Sequence, residues 1–136
     1  MSQPLPNNEV PDPPLARVWE DRGILCTEYP PHARVDIRMA RYTFERRRAL
    51  LAASGRKRHR IMISGSRVVS FDYASYRFSA GKEVSDTVTA AALVCSSALE
   101  RHLSSIFINM WRPAYPIRIF ESKEAARAWL DTFPDE

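Results

Sequence analysis

The sequence predicts an α/β fold: a partly parallel sheet of roughly four to five strands packed with about four helices. Its last third, Val88 to Leu130, alternates strand and helix signals with almost no slack between them. Within it, Val88-Thr89-Ala90-Ala91-Ala92-Leu93-Val94-Cys95 is a near-continuous apolar run, as expected of a strand covered on both faces. Upstream, a hairpin pattern, a short strand and a helix feed into the same alternation, which parallel strands joined by crossovers require.

Taken in order, residues 1–14 (MSQPLPNNEVPDPP) are proline-rich and polar, and predict a disordered tail ahead of a single domain over 15–133. Ala16 to Tyr29 reads as a hairpin, with Val18 and Trp19 on one arm and Ile24, Leu25, Cys26 and Tyr29 on the other. Asp21-Arg22-Gly23 supplies the turn, Gly23 being suited to a positive φ. Pro30 and Pro31 end the second arm because neither can donate to a ladder, and Ala33–Ile37 reads as a short third strand. Thr43 is the expected N-cap of a helix running to Ser54, with Gly55 closing it. Ile61-Met62-Ile63 is a core strand, followed by a Ser64-Gly65-Ser66 turn and Val68-Val69. Ser70 is the expected cap of a helix over Phe71–Ala80, with Gly81 ending it and Lys82–Asp86 as a connector. After the Val88 strand, Ser96 and Ser97 offer a cap to a helix whose Leu99, Leu103, Ile106, Phe107 and Met110 form one apolar stripe. Pro113 and Pro116 stop it, Ile117-Arg118-Ile119-Phe120 alternates as a strand, and Ser122 opens a final helix carrying Ala126, Trp129 and Leu130. Strands near 61, 88 and 117 should then be parallel neighbours.

The bulk numbers narrow the function classes. The 136 residues suit one domain, and 45% hydrophobic with 26% charged residues is ordinary for a soluble globule. A net charge of +4 permits anionic partners without requiring one, so nucleic acid is not the expected ligand. The two cysteines, Cys26 and Cys95, sit in apolar strands and have no metal-ligand spacing, which fits buried thiols in a reducing compartment. With no apolar leader and no run long enough to span a bilayer, the expected location is cytoplasmic.

No catalytic signature is present. His32, His59 and His102 lack ligand spacing, no G-x-S-x-G elbow occurs, and the acid pairs Glu20-Asp21 and Asp135-Glu136 lie in a turn and a tail. The expectation is a non-enzyme that uses no metal or cofactor. The largest chemical feature is basic: Arg46, Arg47, Arg48, Arg56, Lys57 and Arg58, continued by His59 and Arg60, read either as a solvated face or as an anion site. The three consecutive arginines spread over roughly 200° of the helix, so some must bury their stems along the packing border. A second feature is the apolar surplus of the 96–111 helix. Ile108, Trp111 and Tyr115 are the candidate contact residues, reading as a dimer seam or as the mouth of an apolar pocket.

Several of these stretches, Ala90-Ala91-Ala92-Leu93-Val94, the Ser96–Trp111 helix, Pro116-Ile117-Arg118-Ile119-Phe120 and Ala128-Trp129-Leu130, resemble the SpoIIAA-like, or STAS/SEC14-like, domains of uncharacterised bacterial proteins. The resemblance implies a SpoIIAA-like sheet, frequent assembly as a dimer, and no agreed chemistry. Regulatory STAS domains place an aspartate and a phosphorylatable serine or threonine at a helix start. Asp72 is the matching aspartate here, but Tyr73 and Ala74 follow it, leaving Ser70 and Ser75 as the neighbouring hydroxyls of a switch position. The function expected is a regulatory binding module acting through protein contact, as a homodimer. The alternative is a carrier or sensor of a small amphipathic, lipid-like anion, and a weaker one is nucleic-acid binding through the arginines.

Overall fold

The structure, a computed structural model, describes residues 16–65, 70–110 and 112–135. The predicted tail, Ser66, Val68-Val69 and Trp111 lie outside the described residues. Strands β1 (Arg17–Asp21) and β2 (Ile24–Tyr29) form the hairpin, pairing antiparallel with Asp21 opposite Ile24. The loop between them is Arg22-Gly23, with φ of 48° and 83°. Positive φ at both central residues is what a two-residue turn matched to the twist of its strands demands.

The five-stranded sheet runs β1-β2-β4-β6-β7, where β4 is His59–Gly65, β6 Val88–Val94 and β7 Ile117–Phe120. From β2 onward every pairing is parallel, so the predicted neighbours at 61, 88 and 117 are neighbours in fact. A separate two-stranded ladder joins β3 (Arg34–Val35) to β5 (Ser70–Phe71). The third strand is therefore two residues long, shorter than the sequence suggested.

Helix α1 spans Ile37–Ser54, and its N-cap, Asp36, stands seven residues before the expected Thr43. The Asp36 Oδ1 accepts from Met39 N at 2.9 Å and so caps the helix. Thr43 is instead a buried mid-helix residue whose hydroxyl donates to the Ala40 carbonyl. Gly55 closes α1 in the left-handed region, as predicted. A similar correction applies to α2 (Tyr73–Ala80): Asp72, not Ser70, is its cap, accepting from Ser75 N at 2.8 Å, while Ser70 belongs to β5. A carboxylate offers the first turn a charge as well as an acceptor, so it is the stronger cap where a serine and an aspartate compete. The expected 82–86 connector forms a single turn, α3 (Lys82–Ser85), flanked by a Lys82–Asp86 ion pair. Helices α4 (Ala98–Met110) and α5 (Lys123–Leu130) complete the chain; Ser97 and Ser122 accept from Glu100 N and Ala125 N at their first turns.

The sheet separates two cores. On one face Leu25, Ile61 and Ala91 pack with Phe44 of α1, Val84 of α3 and Tyr115. On the other, Ile24, Cys26, Met62, Ala90 and Ala92 pack with Ala126 and Leu130 of α5. The run Ala90-Ala91-Ala92 is fully buried. Its small side chains let helices approach the central strand from both sides, which explains why this strand reads as apolar throughout rather than alternating.

Candidate functional site

The carboxyl ends of β2, β4 and β6 meet α2 and α4 around a cavity of about 90 Å³. Its wall is mainly apolar, with Ile63, Leu93 and Ile108 among the aliphatic members and Tyr29, Tyr76 and Tyr115 among the aromatic ones. Tyr115 donates to the Ser79 carbonyl at 3.1 Å, and burial pushes its phenol up to about 12. Tyr29 is also buried, which raises its phenol, with Arg47 and the Thr43 hydroxyl acting the other way. Ser75 lines the same cavity from the first turn of α2, its hydroxyl donating to the Asp72 carbonyl at 2.8 Å. Asp72 and Ser75 are thus occupied with the first turn of α2, and Ser75 is buried.

The structure brings Ile108 and Tyr115 together in this cavity, not on an outer seam. The stripe expected to be the packing face of α4 is the exposed one. Leu99 is 67% exposed, Leu103 47%, Ile106 43% and Met110 60%. The helix turns Ser104 and Ile108 inward instead, because the cavity lies on that side.

The basic residues do not share one environment. Arg48 pairs with Glu45 at 3.0 Å, Arg56 with Asp135 at 2.6 Å and with Glu20 at 3.2 Å, and Arg58 donates to the Ser85 carbonyl. Arg46 and Lys57 are exposed and form no ion pair among the described residues. Two arginines are buried. Arg60 donates to the carbonyls of Gly23, Leu130 and Phe133 and stands 3.7 Å from Asp131 and 3.8 Å from Asp135. Arg47 is 8% exposed and has no ion pair or hydrogen bond among the described residues. Burial pushes its guanidinium below the ordinary value, the Tyr29 and Tyr115 phenols acting the other way.

Sequence reasoning named Arg47 without separating it from its neighbours, and it missed Tyr29, Leu93 and Ser104. The separating signal was available: Ala40, Thr43, Phe44, Arg47 and Leu51 recur at helical spacing and are all buried, which places Arg47 on the inner face once α1 starts at Ile37. No helix among the described residues is long and apolar enough to cross a membrane.

Comparison with known proteins bears on the fold. A family model for a domain of unknown function, DUF7793, matches residues 18–134. No curated protein matches the chain. Among solved structures, an uncharacterised protein of the DUF3478 family from Shewanella loihica PV-4, described as having a SpoIIAA-like fold, aligns with a TM-score of 0.59. It is 11% identical, over 85% of this chain and 91% of that one, so the likeness is one of fold. It agrees with the SpoIIAA-like α/β architecture that the sequence predicts.

Proposed function

The chain belongs to the DUF7793 family, whose function is unknown, and we propose that it is a binding module whose exposed α4 stripe docks against a second copy of itself. The observation that carries this reading is the solvent-facing row Leu99, Leu103, Ile106 and Met110. Its steps of four, three and four residues are the a/d spacing of a helix-pairing seam. A two-fold contact is self-complementary by construction, so one apolar stripe suffices for both partners. Between Arg101 and Arg112 the sequence holds no formally charged side chain, so two such helices crossing antiparallel meet no like-charge penalty at their centre.

Sedimentation equilibrium of the full chain tests the reading. Self-association is expected in the micromolar range, weakened at least about tenfold by Leu103→Glu with Ile106→Glu, equivalent to about 1.4 kcal/mol. A monomer at high micromolar concentration, or association indifferent to both glutamates, removes it.

A further inference from the structure

Helix α1 carries five arginines against one glutamate, a net charge of +4 that equals the formal charge of the whole chain. The rest of the sequence is neutral in sum, so the basic character of the protein is concentrated on one element. Elsewhere the arginines are matched: Arg17, Arg22, Arg56, Arg60, Arg101 and Arg127 each stand within 3.7 Å of a carboxylate oxygen. On α1, Arg47 is buried and Arg48 pairs with Glu45, which leaves Arg38, Arg41 and Arg46 exposed and without an ion pair among the described residues. The β3–β5 ladder adds to them. It pairs Arg34 with Ser70 and sets the starts of α1 and α2 side by side, Asp72 N donating to the Val35 carbonyl at 3.0 Å. Arg34 and Arg77 are likewise exposed with no ion pair among the described residues. Arg41 lies 4.7 Å over the Phe78 ring of α2, and Arg77 5.7 Å over the ring of Tyr73, which is 56% exposed. The carboxylates at these two helix starts, Asp36 and Asp72, are spent on capping.

We propose that this face of α1 and α2 binds single-stranded nucleic acid, Arg34, Arg38, Arg41 and Arg77 holding phosphates and Tyr73 stacking on a base. A guanidinium meets a phosphate through two parallel N–H bonds, so arginines without carboxylate partners suit a chain of phosphates. An exposed ring beside a cation is a stacking surface that accepts any base. A protein partner fits this face less well. Interface cores are built on apolar anchors, and the exposed large apolar side chains among the described residues are Tyr73 and four on α4. The arginines gathered here are also not the run that the sequence strings together, of which Arg47 is buried and Arg48 and Arg56 are bound to acids. The face contains no residue of α4 and does not depend on self-association.

The test is fluorescence anisotropy of a labelled oligothymidylate of about 12 nucleotides titrated with the full chain, in sodium chloride from about 50 to 200 mM. Micromolar binding is expected at the low-salt end. Log affinity should fall against log salt with a slope of about −2 to −3, as three or four phosphate contacts on a single strand require. Arg38→Gln with Arg41→Gln should weaken binding about tenfold or more and make the slope shallower by about one. Tyr73→Ala should weaken it about fivefold or more with the slope unchanged, which a purely electrostatic surface would not show. Arg17→Gln with Arg118→Gln removes the same net charge outside the face and should leave the affinity within about twofold. Should the α1 pair fail to fold, Arg34→Gln with Arg77→Gln, outside that helix, gives the same readings. Binding indifferent to salt, an equal loss from the Arg17 and Arg118 pair, or no effect of Tyr73→Ala would each overturn the proposal. So would binding to phosphatidylserine vesicles with none to the oligonucleotide.

Discussion

The Gly23 carbonyl accepts from Arg60 Nη2 at 3.4 Å, and a β-carbon built on Gly23 would stand 2.9 Å from that same nitrogen. The hairpin turn and the end of α5 are therefore tied through one guanidinium, which a side chain at residue 23 would have to push aside. Gly23 also has φ of 83°, a conformation that an L side chain resists. Gly23→Ala should cost about 1–3 kcal/mol, combining backbone strain with displacement of Arg60. Urea unfolding checks this: the midpoint should fall with the denaturant slope unchanged, and an unshifted midpoint would show that the turn relaxes freely.

The cap on α1 gives a smaller and cleaner effect. Asp36→Ala removes the acceptor for Met39 N and should lower stability by about 1 kcal/mol. Hydrogen exchange should show the loss confined to the first turn of α1, near Ile37–Ala40. Exchange unchanged there would mean that another group takes over the cap.

His59 makes stability depend on pH. The ring is 2% exposed, and neither nitrogen has a hydrogen-bond partner among the described residues. Burial lowers its pKa below the ordinary 6.5; Arg56 and Arg60 push the same way, while Glu20 and Asp135 oppose them. The unfolded chain consequently binds a proton that the folded chain resists, so stability is full above about pH 7 and declines as pH falls below about 6.5. The urea midpoint should trace that decline as pH falls below about 6.5, and His59→Leu should flatten it. Asp135, held low mainly by its hydrogen bond to Arg56, gives its own loss only in the carboxylate range, well below this window. A midpoint already flat in the unmodified protein would exclude the histidine as the cause.

Arg47→Met should leave the protein within about 1 kcal/mol of its starting stability, since the guanidinium makes no ion pair or hydrogen bond among the described residues and is replaced by an apolar chain of similar length. Tyr115 keeps its own acceptor, the Ser79 carbonyl, in the variant. A clear loss in thermal unfolding would mean that the guanidinium itself stabilises the fold.

The architecture was legible because its strongest signals are local and redundant. The run around Ala90-Ala91-Ala92, the Arg22-Gly23 turn and the Gly55 stop each fix an element without knowledge of its neighbours. The helix starts were read less well, because Thr43 and Ser70 are common cap residues while Asp36 and Asp72, the actual caps, stand only a few residues away. Missing Asp36 also hid the inner register of α1 and left Arg47 among arginines that face water. In α4 periodicity reveals a stripe but not what covers it. Leu99, Leu103, Ile106 and Met110 satisfy the pattern of a buried face, and the helix packs through Ser104 and Ile108. Which side of a helix meets its sheet is decided by tertiary neighbours that spacing alone cannot name.

The placement of α5 has a consequence for synthesis. Among the described residues, the non-strand members of the core on that side of the sheet come from this helix and from Phe133 just beyond it, after all seven described strands. While the polypeptide is still emerging, Ile24, Cys26, Met62, Ala90 and Ala92 form a bare, adhesive surface that, among the described residues, waits for α5 and Phe133 to shield it. A nascent chain halted before Lys123 should therefore depend on chaperones, however well its opposite side has assembled.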